Sequence, residues 1–403
     1  MAKAKPKKQK APATAKKAAP SAKPVKPSAK PVKPSAKPVK RKGVAPRPTA
    51  EDLQAQIGQV DAELLKLLQE RAKLVLKMAR KSGEKALQGA GTGLDDEALS
   101  QIIGRCRGPL PRRSARAVFR ELLSGCRSLV RGLRVAFLGP QYSYSHLAAL
   151  RRFGQSVEFV PVGSIPAVFE EVNRGHSDFG LVPVENSTDG RIADTLDMFT
   201  RLPVRICGEV EMEIHHTLLG RCSRTDVREV YSRPQALSQC RNWLAKHLPS
   251  ARTIEVTSTS TAAQLAKEKP GAAAIASLEA GVHHGLDVLA ESIEDNPSNT
   301  TRFAVIGGGP SAATGNDRTA ILFQVEHRPG ALAEAMNIFK RSEVNLTWIE
   351  SFPIPDSKRA YLFFVEMEGH ETDARLRRAV AALKRKALRL EILGSFPASA
   401  TED

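Results

Sequence analysis

No acidic residue precedes Glu51, although the first 50 positions carry 16 lysines and arginines. That one-sided stretch accounts for most of the +18 formal charge of the 403-residue chain. The other 353 residues hold 45 basic against 43 acidic groups and are close to neutral. The basic total is therefore no argument that the folded part binds nucleic acid or an acidic membrane. Long apolar runs are also missing, since none approaches the ~20 residues of a membrane span. Met1-Ala2-Lys3 leads into Lys, Pro and Ala without the apolar stretch of a secretory signal. Together these absences lead us to expect a cytoplasmic protein without membrane contact. Cysteine is scarce. The five residues Cys106, Cys126, Cys207, Cys222 and Cys240 are odd in number, scattered and never in Cys-x-x-Cys spacing, so reduced thiols are expected and a zinc site is not. Hydrophobic residues make up 41% of the chain, ample for large cores.

Residues 21–40 repeat Ser-Ala-Lys-Pro-Val-Lys-Pro. Proline removes backbone donors and the like charges repel, so a basic tail over 1–48 is expected to be extended and disordered. It could make nonspecific polyanion contacts or act only as a solubilising extension. The lack of aromatics in it favours the second. From Thr49 the pattern becomes helical. Leu53, Ile57, Val60, Leu64, Leu67, Leu74 and Met78 recur at three- and four-residue steps, a seam for packing another helix. Only Arg71 breaks it. Gly83 should end this helix, with Gly89–Gly93 as a loop. Two more helices are expected at 94–107 and 114–129, completing an all-α unit over 49–130 that needs a partner chain to close its core. From 133 to 308 strands and helices alternate, which predicts an α/β region of mainly parallel sheet in two lobes around a cleft. After a linker at 309–317, residues 318–396 follow the order β-α-β-β-α-β, the ferredoxin-like arrangement.

Three turns of the α/β region place hydroxyls or amides where helices are expected to begin, with unpaired N–H groups and the positive dipole end toward a ligand. They are Gly139–His146, with Ser143; Pro183–Thr188, with Glu185, Asn186 and Ser187; and Thr257–Thr261, with Thr259 and Ser260. Each alone is an ordinary helix cap. Together they suit a small substrate with more than one carboxylate. In Asn299-Thr-Thr-Arg-Phe303, Thr301 can donate a proton, and Arg302 can hold a ligand carboxylate or an acidic side chain. The pairs His215-His216 and His283-His284 read as structural or surface residues. A guanidinium at Arg71 needs either an acid on a neighbouring helix or a carboxylate ligand inside the bundle.

Taken in order, these motifs resemble a known family. Gly139-Pro-Gln-Tyr-Ser-Tyr-Ser-His146, Val182-Pro-Val-Glu-Asn-Ser187, Tyr231-Ser-Arg-Pro-Gln235 and Thr300-Thr-Arg-Phe303 are similar to segments of prephenate dehydratase. Gly330-Ala-Leu-Ala333 and Glu350-Ser-Phe-Pro353 are similar to the ACT regulatory domain that follows it, and residues 50–130 resemble the helical chorismate mutase domain fused ahead of it in bifunctional P-proteins. The resemblance implies a periplasmic-binding-protein-like two-lobed dehydratase domain and a cytoplasmic enzyme of phenylalanine biosynthesis. It implies prephenate and chorismate as substrates, phenylalanine as effector, a homodimer or higher homo-oligomer, and no metal or organic cofactor. Carried over residue by residue, it makes Thr301, Asn186 and Glu185 catalytic, and gives Ser143, Ser187, Thr259, Ser260 and Arg302 to prephenate. Gly330, Ala331, Leu332, Asn345, Leu346, Glu350 and Ser351 would hold phenylalanine.

The sequence departs from the family pattern at several of these places. Tyr142 stands where the family has Gly, so that turn is expected to bend differently. Arg233 replaces a His, and Phe352 replaces the Arg of Glu-Ser-Arg-Pro, which weakens the case for phenylalanine feedback. In the mutase region Arg71 matches a substrate-binding Arg, with Lys81 and Glu97 near two further positions. Gln54, Asp96 and Val130 stand where other site residues are expected. A dianionic substrate then keeps one sure cation, so the mutase is expected to be weak, or vestigial and retained for dimerisation in a monofunctional dehydratase. A non-catalytic ACT-containing small-ligand sensor is the reading of another class. The intact Thr300–Phe303 and Val182–Ser187 segments favour the enzyme.

Overall fold

The computed structural model describes residues 49–82, 93–188, 190–307, 309, 311–354 and 361–399, and not the side chains of 82 and 93–97. The tail, the expected stop at Gly83, the expected loop over Gly89–Gly93 and the Glu97 side chain lie outside the described residues. Thr49 caps the first helix, α1 (Ala50–Ser82), reciprocally: the Asp52 N–H donates to Thr49 Oγ1 at 3.2 Å, and the Thr49 N–H donates to Asp52 Oδ2 at 2.9 Å. Among the described residues nothing covers the seam of α1, since Val60, Leu64, Leu67, Leu74 and Met78 are all more than half exposed. Arg71 is half-buried, and its Nη1 finds no hydrogen-bond partner among the described residues. Helices α2 (Gly93–Gly104) and α3 (Arg112–Ser128) pack on each other through Leu99, Ile103 and Ala115.

The α/β region contains two sheets. β1 (Arg134–Leu138), α4 (Tyr144–Phe153), β2 (Glu158–Val162), α5 (Ile165–Asn173), β3 (Phe179–Asn186), the two-residue β4 (Gly190–Arg191), α6 (Ala193–Arg201) and β5 (Ile206–Glu213) build the first. The chain then crosses to a second lobe. This holds β6 (Thr217–Gly220), β7 (Glu229–Ser232), α7 (Pro234–Gln239), α8 (Arg241–His247), β8 (Arg252–Glu255), α9 (Thr259–Glu268), β9 (Ala272–Ala276), α10 (Leu278–His284) and β10 (Asp287–Ala290). It returns with β11 (Thr300–Gly307), which inserts between β3 and β5 to give the order β2-β1-β3-β11-β5, with β4 on β3. The second sheet runs β10-β6-β9-β7-β8. The two crossings are tied together, Ile214 N–H to Asn299 O at 2.8 Å and Ile293 N–H to His216 O at 2.9 Å.

The expectation of mainly parallel sheet is corrected here: both sheets are mixed. β1 pairs in parallel with β2 and β3, and β7 with β8 and β9, but β11 runs antiparallel to β3 and β5, and β6 antiparallel to β9 and β10. A strand that returns from the other lobe enters from the opposite end, so its direction reverses.

The C-terminal region is β-rich: β12 (Asp317–Gln324), α11 (Ala331–Arg341), β13 (Leu346–Pro353), β14 (Tyr361–Glu368), α12 (Ala374–Lys384) and β15 (Arg389–Pro397), in the antiparallel order β13-β14-β12-β15. One face packs on α11 and α12 through Phe339, Val365 and Leu376. The other shares a core with the first α/β lobe, in which Phe169, Phe199 and Ile206 cluster with Leu322, Phe364 and Phe396. Gly394 makes that contact close: a Cβ built there would lie 2.0 Å from the carbonyl oxygen of Ile206, at a φ of 150°. Gly394→Ala should therefore force β15 off β5 and cost about 1–3 kcal/mol, the usual range for overpacking. Thermal unfolding reads the loss, and an unchanged Tm would show that the two backbones separate freely.

Candidate active site

The carboxyl ends of strands β1, β2, β3, β7 and β8 open on one cleft of about 960 Å³, where ligands sit in open α/β sheets. Among the helix N-termini that line it, three are capped by a serine hydroxyl. At α4, Ser143 Oγ accepts from the His146 N–H at 3.4 Å and donates to the Leu138 carbonyl at 3.1 Å. At α5, Ser164 Oγ accepts from the Ala167 N–H at 3.3 Å, and at α9, Ser258 Oγ accepts from the Thr261 N–H at 2.9 Å. Ser143, Ser164, Ser258 and Thr259 all line the cleft. Of the three expected helix-starting turns, the first and third are therefore helix N-termini. The second is not, because Asn186 ends β3, and β4 turns back on it with Gly190 opposite Asn186. The third serine-capped N-terminus in the cleft belongs to α5, signalled in sequence by Gly163-Ser-Ile-Pro166 after a strand, with proline inside the first turn.

At the head of the cleft β3 and β11 place Asn186 directly opposite Thr301. Asn186 Nδ2 donates to Thr301 Oγ1 at 2.8 Å and to Asn299 Oδ1 at 3.0 Å, while Asn186 Oδ1 accepts from the Thr188 N–H at 2.9 Å. Asn299 Nδ2 donates to Gln239 Oε1 at 3.0 Å, and that oxygen lies 2.9 Å from His216 Nε2. His216 Nδ1 is 2.9 Å from the Tyr144 hydroxyl. Burial holds His216 below its ordinary pKa of 6.5, so the ring is neutral at pH 7. Gln239 Oε1 can only accept, so the ring proton sits on Nε2 and Nδ1 is an acceptor, which shares the single Tyr144 hydroxyl proton with the His215 carbonyl 2.7 Å from that hydroxyl. The row fixes Thr301 as well. Its oxygen already accepts from Asn186, and among the described residues no acceptor takes its own proton, which is left to be donated into the cleft.

One step back from the cleft, Glu294 holds the crossing between lobes. It accepts from the His216 N–H at 2.9 Å and lies 2.8 Å from His215 Nδ1. Burial raises its carboxyl, but these hydrogen bonds bring it net below 4.5. His215 is raised above 6.5, chiefly by its bond to Glu294.

Thr301, Asn186, Ser143 and Thr259 are thus brought together, and four other expected residues are not. Adjacent strand residues point to opposite faces, so Arg302 faces away from Thr301 and the cleft. It holds acidic side chains: Nη1 donates to Glu185 Oε2 at 2.9 Å, and Nη2 to Glu209 Oε2 at 2.9 Å and Glu366 Oε2 at 2.8 Å. The side chains of Arg302, Glu209 and Glu366 are 16%, 4% and 3% exposed. Glu185 is therefore a partner of Arg302 rather than a cleft residue. Ser187 Oγ ties the β3 end to the other crossing, donating to the Ser298 carbonyl at 3.2 Å and accepting from the Thr300 N–H at 2.9 Å. Ser260 Oγ donates to the Gln141 carbonyl at 2.8 Å, bracing the first turn from the second lobe.

Tyr142 holds a turn in an unusual backbone conformation. Its φ of 63° is the left-handed conformation that a glycine would take, secured by the Tyr142 N–H donating to His146 Nδ1 at 3.0 Å and by ring stacking on His283. His216, Gln239, Tyr144, Ser164, Arg191 and Arg233 line the cleft without having been expected there. Ser164, Tyr144 and Arg233 lie in segments with a local sequence signal, whereas the neutrality of His216 depends on a burial that the sequence does not display.

In the C-terminal region Ala331 and Leu332 line a pocket of about 140 Å³ with Val325, Arg328, Tyr361 and Phe363, and Gly330 caps α11 at φ 82°. Other expected effector residues stand elsewhere. Asn345 Nδ2 donates to Glu368 Oε1 at 2.9 Å, and Leu346 packs on the helices. Glu350 and the Ser351 carbonyl take Arg191 Nη1 at 3.0 and 2.8 Å. Lys81 is exposed on the last turn of α1. No group of residues that could hold a metal ion occurs among the described residues, nor a helix long and apolar enough to cross a membrane.

Family models match in two places: prephenate dehydratase over residues 135–311, and chorismate mutase type II over residues 53–131. The chain is 40% identical over 352 residues to the bifunctional chorismate mutase/prephenate dehydratase of Stutzerimonas stutzeri, covering 86% of this chain and 96% of that protein. It is also 40% identical to the Aquifex aeolicus protein of the same name, covering 86% and 97%. Among solved structures, a prephenate dehydratase from Arthrobacter aurescens in complex with L-Phe superposes with a TM-score of 0.62 at 32% identity, covering 66% of this chain and 90% of that one.

Proposed function

Since the chain belongs to the family of bifunctional chorismate mutase/prephenate dehydratases, we propose that its central cleft converts prephenate to phenylpyruvate, CO2 and water. The observation that carries this reading is Thr301, held as an acceptor by Asn186 so that its own proton is left for a cleft lined by helix N-termini. Those N-termini, with the Thr259 hydroxyl, offer N–H and hydroxyl donors to the two carboxylates of prephenate. The bond to the ring carboxylate breaks as CO2 leaves, its electron pair enters the ring, and the ring C–O bond breaks. Thr301 donates to the departing hydroxide, which leaves as water, and the hydroxyl recovers its proton from solvent, so that one solvent proton is consumed overall. Aromatisation supplies the driving force, so the protein has only to orient the dianion and assist departure.

The C-terminal βαββαβ unit acts in this reading as a ferredoxin-like ACT domain that binds phenylalanine in the pocket of Ala331, Leu332 and Phe363. The L-Phe complex of the Arthrobacter relative supports an effector of that kind. The bare seam of α1 is the surface through which two copies of the chain join, and the setting is the cytoplasm. The tail, 49–130, 133–308, 309–317 and 318–396 serve as tail, mutase, dehydratase, linker and regulatory segments.

The mutase unit is weak in this chain. Arg71 keeps an unpartnered buried donor suited to a carboxylate, but Gln54, Asp96 and Val130 replace other polar contacts. The test is to give purified full-length chain prephenate and chorismate separately and to follow phenylpyruvate. Rapid product from prephenate and slow or no product from chorismate is expected. Absence of product from prephenate sinks the dehydratase reading. Fast chorismate turnover that Arg71→Ala abolishes sinks the weak mutase.

A further inference from the structure

Arg191 belongs to two places at once. It lines the cleft beside Asn186 and Thr301, and its Nη1 is held by Glu350 Oε2 at 3.0 Å and the Ser351 carbonyl at 2.8 Å, both on β13 of the C-terminal sheet. Its own strand, β4, is only two residues long and pairs on β3, with Arg191 opposite Glu185 and Gly190 opposite Asn186. Arg191 is therefore tied through β4 to the strand that ends in Asn186, the partner of Thr301.

The other end of the connection is equally short. On β14, Phe363 lies directly opposite Ser351, and Tyr361 opposite Pro353. Phe363 and Tyr361 are walls of the small pocket that also holds Ala331 and Leu332. Along β13, Trp348 and Phe352 flank Glu350 and pack into the core shared with the first α/β lobe. The strand that holds Arg191 is thus the edge neighbour of β14, which forms part of the pocket wall, and it packs on that core. A ligand filling the pocket bears on the rung that carries one of the two acceptors of Arg191.

We propose that Arg191 is the positioning residue through which phenylalanine in the Ala331–Phe363 pocket acts on the cleft, by resetting Glu350 and the Ser351 carbonyl and with them β4 and the Asn186–Thr301 pair. It rests on the reading of that pocket as the effector site. A ligand shifts an equilibrium only by its differential contact with two states. Here the two states differ in the register of Arg191 on β13, and the contact that distinguishes them is made by Phe363 across its rung to Ser351.

The test uses full-length chain, prephenate as substrate and L-phenylalanine as titrant, with phenylalanine binding measured separately by calorimetry. Glu350→Gln keeps the shape and removes the charge outside the cleft; Arg191→Gln removes the positive charge and shortens the reach, and Arg191→Lys retains the charge. Both Gln variants should bind phenylalanine as wild type does. The factor by which saturating phenylalanine lowers kcat/KM should shrink about fivefold or more, since coupling between sites is usually at least that large. Arg191→Lys should recover part of it. The Arg191 variants should also raise KM for prephenate more than they lower kcat. Gln variants that bind phenylalanine and are inhibited like wild type overturn the coupling while leaving the effector site standing. Loss of phenylalanine binding in both also overturns it, because the residues would then belong to the pocket itself. A wild-type chain that binds no phenylalanine overturns the effector reading beneath it.

Discussion

Thr301→Ala should lower kcat for prephenate dehydration by ~10²–10⁴-fold, the range for removing a positioned proton donor, with a much smaller change in KM. The expectation comes from the hydrogen-bond direction around one oxygen. Asn186 Nδ2 must donate, so Thr301 Oγ1 accepts and presents its proton outward. Thr301→Ser keeps the hydroxyl and should return most of the rate. Asn186→Ala leaves the hydroxyl free to rotate, and is expected to lower kcat less than loss of the hydroxyl does. Steady-state kinetics with phenylpyruvate as the readout separates these cases. A Thr301→Ala enzyme with wild-type kcat would remove Thr301 from the chemistry and leave the helix N-termini to account for the rate alone.

The parts of this arrangement differ in how far sequence reveals them. Thr301 and Asn186 stand out because they sit in compact polar motifs at strand ends. The α11 and α12 helices and the four strands of the C-terminal sheet follow from clean periodicity. Other elements stay hidden for particular reasons. β5 carries Glu209, Glu211 and Glu213 in Ile206–Glu213, which reads as solvated surface until Arg302 and Arg318 are seen to bury Glu209. β10 is a half-exposed edge strand of four residues. The row from Tyr144 through His216, Gln239 and Asn299 to Asn186 joins five distant segments, and no local pattern encodes such a meeting. Arg302 is different, since a strand's two-residue period already forbids it to share a face with Thr301. Its likeness to a carboxylate ligand outweighed that elementary constraint.

Arg302 has a large structural role of its own, and Arg302→Met should cost about 3–5 kcal/mol at neutral pH, as removing one partner of a buried ionic cluster does. The guanidinium, set 5.5 Å over the Trp348 ring, holds three carboxylates from three strands: Glu185 on β3, Glu209 on β5 and Glu366 on β14. Burial disfavours its charge, yet Glu366 and Glu209 raise its pKa well above the ordinary value. Methionine fills the space but leaves Glu209 and Glu366 facing each other, with Arg318 3.3 Å from Glu209 as the remaining cation. The loss should also depend on pH in a defined direction. Burial already raises Glu366 above 4.5, with Glu209 adding to the rise and Arg302 opposing it, so the variant raises it further. A carboxyl whose folded pKa lies above its unfolded one favours the folded state fully below 4.5, and that contribution is lost as pH rises through the folded value. The deficit of Arg302→Met should therefore shrink as the pH falls from 7 toward 5. The double variant Arg302→Met/Glu366→Gln should regain much of the stability at pH 7, where no proton is needed to neutralise residue 366. Urea unfolding across this pH range measures both effects. A deficit equal at pH 5 and pH 7, unrelieved by the second substitution, would mean that Arg302 stabilises the junction by packing on Trp348 rather than by its charge.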